Sequence, residues 1–138
     1  MGYKSHNHCK YKIRYHIILS VKYHKKILAP IIQPLKQAIA RAQALDGKWK
    51  VEVVETDLKE KKDHHIHLLI KAKPQVAPYE IVRKIKQVTT FDLWKSCRDY
   101  LSKHFWRGPH HLWTRGYFVT TIGEVSEKTL KHYIETQG

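Results

Sequence analysis

Asp63-His64-His65-Ile66-His67-Leu68-Leu69-Ile70 has the composition and period of a buried β-strand, and it carries histidines at a spacing of two. Side chains at i and i+2 of a strand point to the same side. His65 and His67 therefore share one face, where they can hold one metal ion between them. Ile66, Leu68 and Ile70 take the other face and can anchor the strand in a core. A strand of this kind calls for a sheet covered on one side and left available for chemistry on the other.

The segments around it supply such a sheet. A strand is expected at about 12–23, where Tyr15, Ile17, Leu19 and Val21 alternate with His16, Ile18, Ser20 and Lys22. Pro30 and Pro34 mark a turn into a helix at about 31–45. Leu35, Ile39 and Ala42 form its apolar stripe, extended by Ala38 and Leu45, and Asp46-Gly47 ends it. A second strand is expected at 48–56, with Trp49, Val51 and Val53 on one face and Glu52 and Val54 on the other. Residues 57–62 are a charged connection, and the opening strand then runs over about 64–72, closed by Pro74.

Pro78 suits the first turn of a long helix at about 78–102, whose buried side is Ile81, Ile85, Val88 and Leu93. Thr89-Thr90 lowers helix propensity and marks a place for a kink. Residues 103–115 are irregular, aromatic and basic, a fourth strand is expected at Gly116–Ile122, and Ser126 can cap a last helix at 127–137. The order β-α-β-β-α-β-α matches a split βαβ, ferredoxin-like (RRM-like) α+β fold. It predicts one domain over residues 1–138, with an antiparallel four-stranded sheet, two helices on one face and a further helix at the C-terminus.

Charge narrows the partners. The chain has 26 Lys+Arg against 12 Asp+Glu, a formal net charge of +14. Such an excess suits a polyanion, because Lys and Arg neutralise phosphates and release counterions; nucleic acid is the first expectation. No basic amphipathic helix of the membrane-surface type stands out, and no apolar run approaches the roughly 18 residues of a membrane span. The N-terminus lacks the apolar region of a secretory signal, so a cytoplasmic location is expected. Cys9 and Cys97 lie far apart and outside any C-x-x-C pattern, as free thiols do. Arg14, Lys22, Arg83, Lys84, Lys86, Arg107 and Arg115 are candidate phosphate contacts. Trp106 and His104, in the irregular basic segment, are candidates for stacking on unpaired bases. Trp113, Tyr117 and Phe118 are expected to serve core and strand packing.

Two histidines do not complete a catalytic metal site. Tyr133 and Gln137, four residues apart on the last helix, share one helical face. The Gln137 amide oxygen is a candidate to join His65 and His67 on a divalent ion, with the Tyr133 phenol nearby as a nucleophile for a phosphate. Against this stands a plain reading in which His65 and His67 are structural histidines of a half-buried strand.

Tyr15-His16, Lys22-Tyr23, His65-Ile66-His67-Leu68-Leu69, Trp113-Thr114-Arg115-Gly116-Tyr117-Phe118-Val119 and Tyr133-Ile134-Glu135-Thr136-Gln137 occur in this order over most of the chain. Together they resemble the small single-tyrosine HUH transposases, the TnpA-type enzymes of insertion sequences that move as single-stranded DNA. The resemblance implies that Tyr133 is the catalytic nucleophile and forms a 5′-phosphotyrosine, and that His65, His67 and Gln137 hold Mg²⁺ or Mn²⁺. It implies a single-stranded DNA substrate folded into an imperfect hairpin at each element end. It also implies a homodimer with sheets side by side, in which the tyrosine helix of one subunit can complete the other's site. The chain departs from the family pattern at His64, where an acidic or amide residue is usual, at His24, where an arginine is common, and in a longer 57–62 loop. Asp63 lies on the His65/His67 face by alternation. The alternative class is a catalytically inactive or repurposed single-stranded nucleic-acid-binding module; replication initiators and relaxases with the same chemistry are usually longer.

Overall fold

The structure is a computed structural model that describes residues 13–57, 62–106 and 108–122. Strand β1 (Ile13–Ser20) is followed by two short 3₁₀ turns and by helix α1 (Ile32–Asp46). Strands β2 (Trp49–Asp57) and β3 (Lys62–Ala72) come next, then helices α2 (Pro78–Ser96) and α3 (Arg98–Ser102), and finally strand β4 (Phe118–Ile122). The strands form one sheet in the order β2-β3-β1-β4, with every neighbouring pair antiparallel. This is the expected α+β arrangement. The last helix expected at 127–137 lies outside the described residues.

The alternation in the strands decides which face is covered. Tyr15, Ile17, Leu19 and Val21 join Ile66, Leu68 and Ile70 in one buried cluster with Leu35, Ile39, Ile81 and Ile85 of the helices. Leu69 belongs instead to a small cluster on the opposite face, with Val53 and the packed-on Ile122. β1 and β3 are central, so each is paired along both edges, and their register sets Ile18 opposite His67 and Ser20 opposite His65.

Several boundaries differ from the sequence expectation for identifiable reasons. β1 stops at Ser20 because the chain turns sharply at Lys22–His24, where Tyr23 and His24 both have positive φ. In β2 the register shifts between Val51 and Val53. The bulge at Glu52 sends Val53 to the open face while Val54 packs against the helix-side core, so the simple alternation expected over 49–54 does not hold. β4 begins at Phe118, two residues later than expected.

The long helix is not kinked at Thr89-Thr90. α2 passes through both and the break comes at Cys97, with φ −124° and ψ 34°. Thr89 is buried, its hydroxyl donates to Ile85 O at 2.6 Å, and Thr89 Oγ1 in turn accepts Trp113 Nε1–H at 2.8 Å. Tertiary partners satisfy the hydroxyl, and packing outweighs the small propensity penalty. At the other end Pro78 occupies the first turn, and Glu80 accepts from Ala77 N at 3.1 Å. Gly47 ends α1 in the left-handed region at φ 72°, donating to Gln43 O at 2.8 Å. No helix among the described residues is long and apolar enough to cross a membrane.

Candidate active site on the open face of the sheet

His67 leaves the helix-side core by strand alternation but is still covered, at 2 % exposure. What covers it is His16, itself fully buried on β1. The two rings stack with centroids 5.2 Å apart at 20°, and His16 Nε2 lies 3.0 Å from His67 Nδ1. One of the two nitrogens carries the proton and the other accepts it. Phe118 of β4 meets the His16 ring edge-on at 6.2 Å. Thr120, the β4 register partner of His16, has a buried hydroxyl with no hydrogen-bond partner among the described residues. The open face at His67 is thus built from three strands, and its immediate packing is aromatic.

His65, two residues nearer the strand end, is only half-buried. Its ring contacts that of His64 at 4.1 Å, and His64 stacks on His24 at 5.0 Å and 23°. Asp63, which alternation assigns to the same face, is engaged elsewhere. Its carboxylate accepts from Ala29 N at 3.4 Å and lies close enough to Tyr100 to act on its pKa. The Tyr100 phenol is pushed up chiefly by burial, then by the charges of Asp63 and Cys97, and it donates to Ile27 O at 2.8 Å. Register sets Glu55 of β2 opposite His67. Even so, no three His, Cys, Asp or Glu side chains among the described residues form a group able to hold a metal. Tyr133 and Gln137, the other half of the site expected from the sequence, lie outside the described residues, as do Arg107 and Cys9.

The basic residues separate into distinct roles. Lys86 points its ammonium at three carbonyls, Thr114 O at 2.7 Å, Arg115 O at 2.8 Å and Gly116 O at 3.1 Å. It ties α2 to the segment that enters β4, and burial lowers its pKa below the ordinary lysine value. These three contacts give Lys86, a candidate phosphate contact by sequence, a structural role at the entrance to β4. Arg14 pairs with Glu52, Nε to Oε1 at 2.8 Å and a terminal nitrogen to Oε2 at 3.4 Å, both side chains well covered. Lys22 Nζ lies 2.8 Å from His111 Nδ1, which must accept because an ammonium only donates. Arg83 and Lys84 line a groove with Lys48, Asp46 and Glu80. Arg115 has an exposed side chain.

The aromatic expectations divide in the same way. Trp113 is core, whereas Tyr117 and Phe118 are exposed, Phe118 against His16. Trp106 stands out into solvent. His16 stands in the sequence within the first strand and the Tyr15-His16 stretch, with no role given to it, and the structure sets it against His67. Its signal was present, since strand register with the His65/His67 strand places a histidine of β1 near one of β3, but the pairing of β1 with β3 is not readable from either segment alone.

An antiparallel sheet of this order, with helices on one face and paired histidines on the other, places the chain in the α+β class, and its similarity to known proteins gives the family. Residues 9–137 match the family described as "Transposase IS200 like", and the chain belongs to it. It is similar to the ISDra2 transposase TnpA of Deinococcus radiodurans, 28% identical over 128 residues that cover 92% of this chain and 85% of that protein. It is also similar to the transposase for insertion sequence element IS200 of Salmonella typhimurium, 26% identical over 136 residues, covering 96% and 84% of the two chains. Among solved structures, a putative transposase from Deinococcus radiodurans superposes with a TM-score of 0.68 at 25% identity, covering 93% of this chain and 92% of that one. A REP-associated tyrosine transposase bound to a REP hairpin gives a TM-score of 0.58 at 12% identity, over 92% of this chain and 65% of that one, a likeness of fold. The chain is a transposase of the IS200 type.

Proposed function

We propose that this transposase cuts and rejoins single-stranded DNA at hairpin-marked element ends, with Tyr133 as nucleophile. The observation that carries the reading is the His16–His67 contact, which holds one imidazole of the His65/His67 pair in a fixed orientation on the open face. A buried imidazole whose ring is fixed through one nitrogen offers the other as a ligand, the arrangement usual for metal-binding histidines. Two imidazoles and an amide oxygen suit a divalent ion such as Mn²⁺ or Mg²⁺ with positions left for phosphate oxygens. His65, His67 and Gln137 would hold it. When bound, such an ion polarises the scissile phosphate and orients it.

In the reaction, Tyr133 Oη forms a bond to phosphorus and gives up its proton. The bond from phosphorus to the 3′-oxygen breaks, and the leaving strand carries away a 3′-hydroxyl. The tyrosine ester keeps the bond energy, so a 3′-hydroxyl of another strand can attack the same phosphorus and restore Tyr133. His16 and Phe118 keep His67 in place during both steps. A hairpin substrate accords with the relative whose structure carries a REP hairpin. The basic excess of the whole chain, a formal net charge of +14, supplies attraction for the DNA backbone. A homodimer with sheets side by side, which the resemblance of the motifs implies, belongs to this reading, and the Tyr133 helix can complete the site of either subunit.

The test mixes wild type and Tyr133→Phe with labelled single-stranded hairpin DNA and Mg²⁺ or Mn²⁺. The expected result is a protein–DNA adduct resistant to denaturation, formed by wild type only. An adduct formed equally by Tyr133→Phe overturns the nucleophile assignment. Binding without any adduct over a broad set of hairpins overturns the enzyme reading in favour of a binding module. Cleavage with unchanged metal dependence in a His65→Ala, His67→Ala variant overturns the ligand assignment.

A further inference from the structure

Lys22 is a candidate phosphate contact, but no role above uses its neighbour Tyr23. The chain there is pinned and then turned. Val21 bridges to Trp113, and Lys22 N donates to Leu112 O at 2.8 Å. Tyr23 and His24 follow with φ of 63° and 53°, a left-handed conformation that non-glycine residues rarely adopt and rarely adopt twice in succession. The consequence is to hold the Tyr23 ring out of the core, 65% exposed. Strained backbone that presents an aromatic ring to solvent points to a functional surface.

Trp106, also on this side of the molecule, is 85% exposed. The two aromatics line one cleft of about 310 Å³ together with Lys25, His104, His111 and the buried Phe105. That volume is at the lower end of small-ligand pockets, roughly 300–1,000 Å³. Among the described residues, no acidic side chain lines it. Lys22 Nζ sits 5.8 Å from the centre of the Tyr23 ring and contacts His111, so a cation stands beside the cleft as well as within its wall.

A chain of ring contacts links the cleft to the histidine site. His24, next to Tyr23, stacks on His64, and His64 touches His65. Imidazoles in contact therefore lead from His65 to the turn that carries Tyr23. Exposed aromatic rings flanked by lysines suit an unpaired base and its phosphates, the rings stacking on the base and the ammonium groups meeting the backbone.

We propose that the cleft between Tyr23 and Trp106 clamps one unpaired base of the single-stranded DNA substrate, with Lys22 and Lys25 at the flanking phosphates. The proposal rests on the reading of the His65/His67 face as the cleavage site, since that fixes the clamped base as a near neighbour of the scissile phosphate. A flat base lies between the two rings, and the strand continues over His24 and His64 toward His65.

The experiment measures binding of the full chain to labelled unstructured thymidine oligonucleotides by fluorescence anisotropy, with chelator present so that no cleavage occurs. Trp106→Ala and Tyr23→Asn are each expected to weaken binding roughly tenfold, the scale of losing one stacked base. Asparagine tolerates the left-handed backbone at position 23, so that variant removes the ring and keeps the turn. Trp106→Phe and Tyr23→Phe keep a ring and are expected to bind within about twofold of wild type. An abasic nucleotide moved through a hairpin-flanking single strand is expected to weaken wild type at one position and to have no further effect in Trp106→Ala.

Unchanged affinity in Trp106→Ala and Tyr23→Asn overturns the clamp, as does a loss that is the same with or without the abasic position. The two readings fail separately. Adduct formation with wild-type binding in the clamp variants removes the clamp alone. A position-specific abasic effect with no adduct removes the enzyme reading and leaves the clamp.

Discussion

His16 Nε2 lies 3.0 Å from His67 Nδ1, and both imidazoles are almost completely shielded from solvent. Two nitrogens at that distance share one proton. If His67 presents an unprotonated Nε2 as a ligand, its own Nδ1 carries the hydrogen and His16 Nε2 must accept it. His16 is then a positioning residue that selects the His67 tautomer. Replacing His16 by Ala is expected to lower Mn²⁺ affinity by about 10–100-fold, and His16→Gln, whose amide oxygen accepts, to recover part of it. Titration of Mn²⁺ followed by electron paramagnetic resonance measures this without reference to cleavage. Equal affinity in wild type and His16→Ala removes the role.

The Thr89 hydroxyl is both donor to Ile85 O and acceptor from Trp113 Nε1–H. Thr89→Val keeps the shape and leaves a buried indole N–H without its acceptor. A loss of about 1–3 kcal/mol in unfolding free energy is expected, measured by urea denaturation. Thr89→Ser keeps the oxygen and should lose less. A valine variant as stable as wild type shows that Trp113 finds another acceptor.

Lys86 holds the three carbonyls at the entrance to β4. Lys86→Met is expected to destabilise the fold by about 1–3 kcal/mol at neutral pH. The pH dependence has a definite sign. Burial lowers the folded pKa of Lys86, so the unfolded chain binds this proton more tightly. The penalty on the charged form is fully present below the lowered folded value and is relieved as pH rises through it to the ordinary lysine range. The stability of wild type relative to Lys86→Met should therefore rise with pH in that window. A difference that falls there contradicts the assignment.

Tyr100 anchors α3 to the Ile27 carbonyl at 2.8 Å. Tyr100→Phe should cost about 1 kcal/mol. Its pKa is raised, first by burial, so the folded state holds the phenol proton more tightly than the unfolded chain. That contribution is complete below the ordinary phenol range and is lost as pH rises through the raised folded value. Wild type should approach Tyr100→Phe in stability under strongly alkaline conditions, and parallel curves for the two proteins would rule this out.

Local periodicity carried much of the fold. Ile66, Leu68 and Ile70 alternate with His65 and His67 strictly enough that the covered and open faces of β3 follow from the sequence, and Leu35, Ile39, Ile81 and Ile85 mark the helix faces that meet them. Gly47 and Pro78 mark ends that backbone geometry alone requires. These are short-range effects, and a sequence displays them directly. The family motifs, spread from Tyr15 to Gln137, were legible for the same reason: they are strings of residue types in order.

What the tertiary structure decided is who touches whom across long separations. His16 and His67 are 51 residues apart and meet only because β1 pairs with β3 in one register. The Glu52 bulge, which reverses the faces of Val53 and Val54, has no local signature beyond a polar residue between valines. Lys86 looks like any surface lysine in a helix until the carbonyls of Thr114, Arg115 and Gly116 are folded against it. Tyr23 and Trp106 are brought to one cleft by a left-handed turn that no propensity of tyrosine or histidine predicts. The sequence by itself determined the strand that offers two histidines and the sheet that leaves them on an open face, because alternation and periodicity act between near neighbours. Only the tertiary structure decided which imidazole supports them and which charges are already engaged, because register and long-range packing are set by the whole core at once.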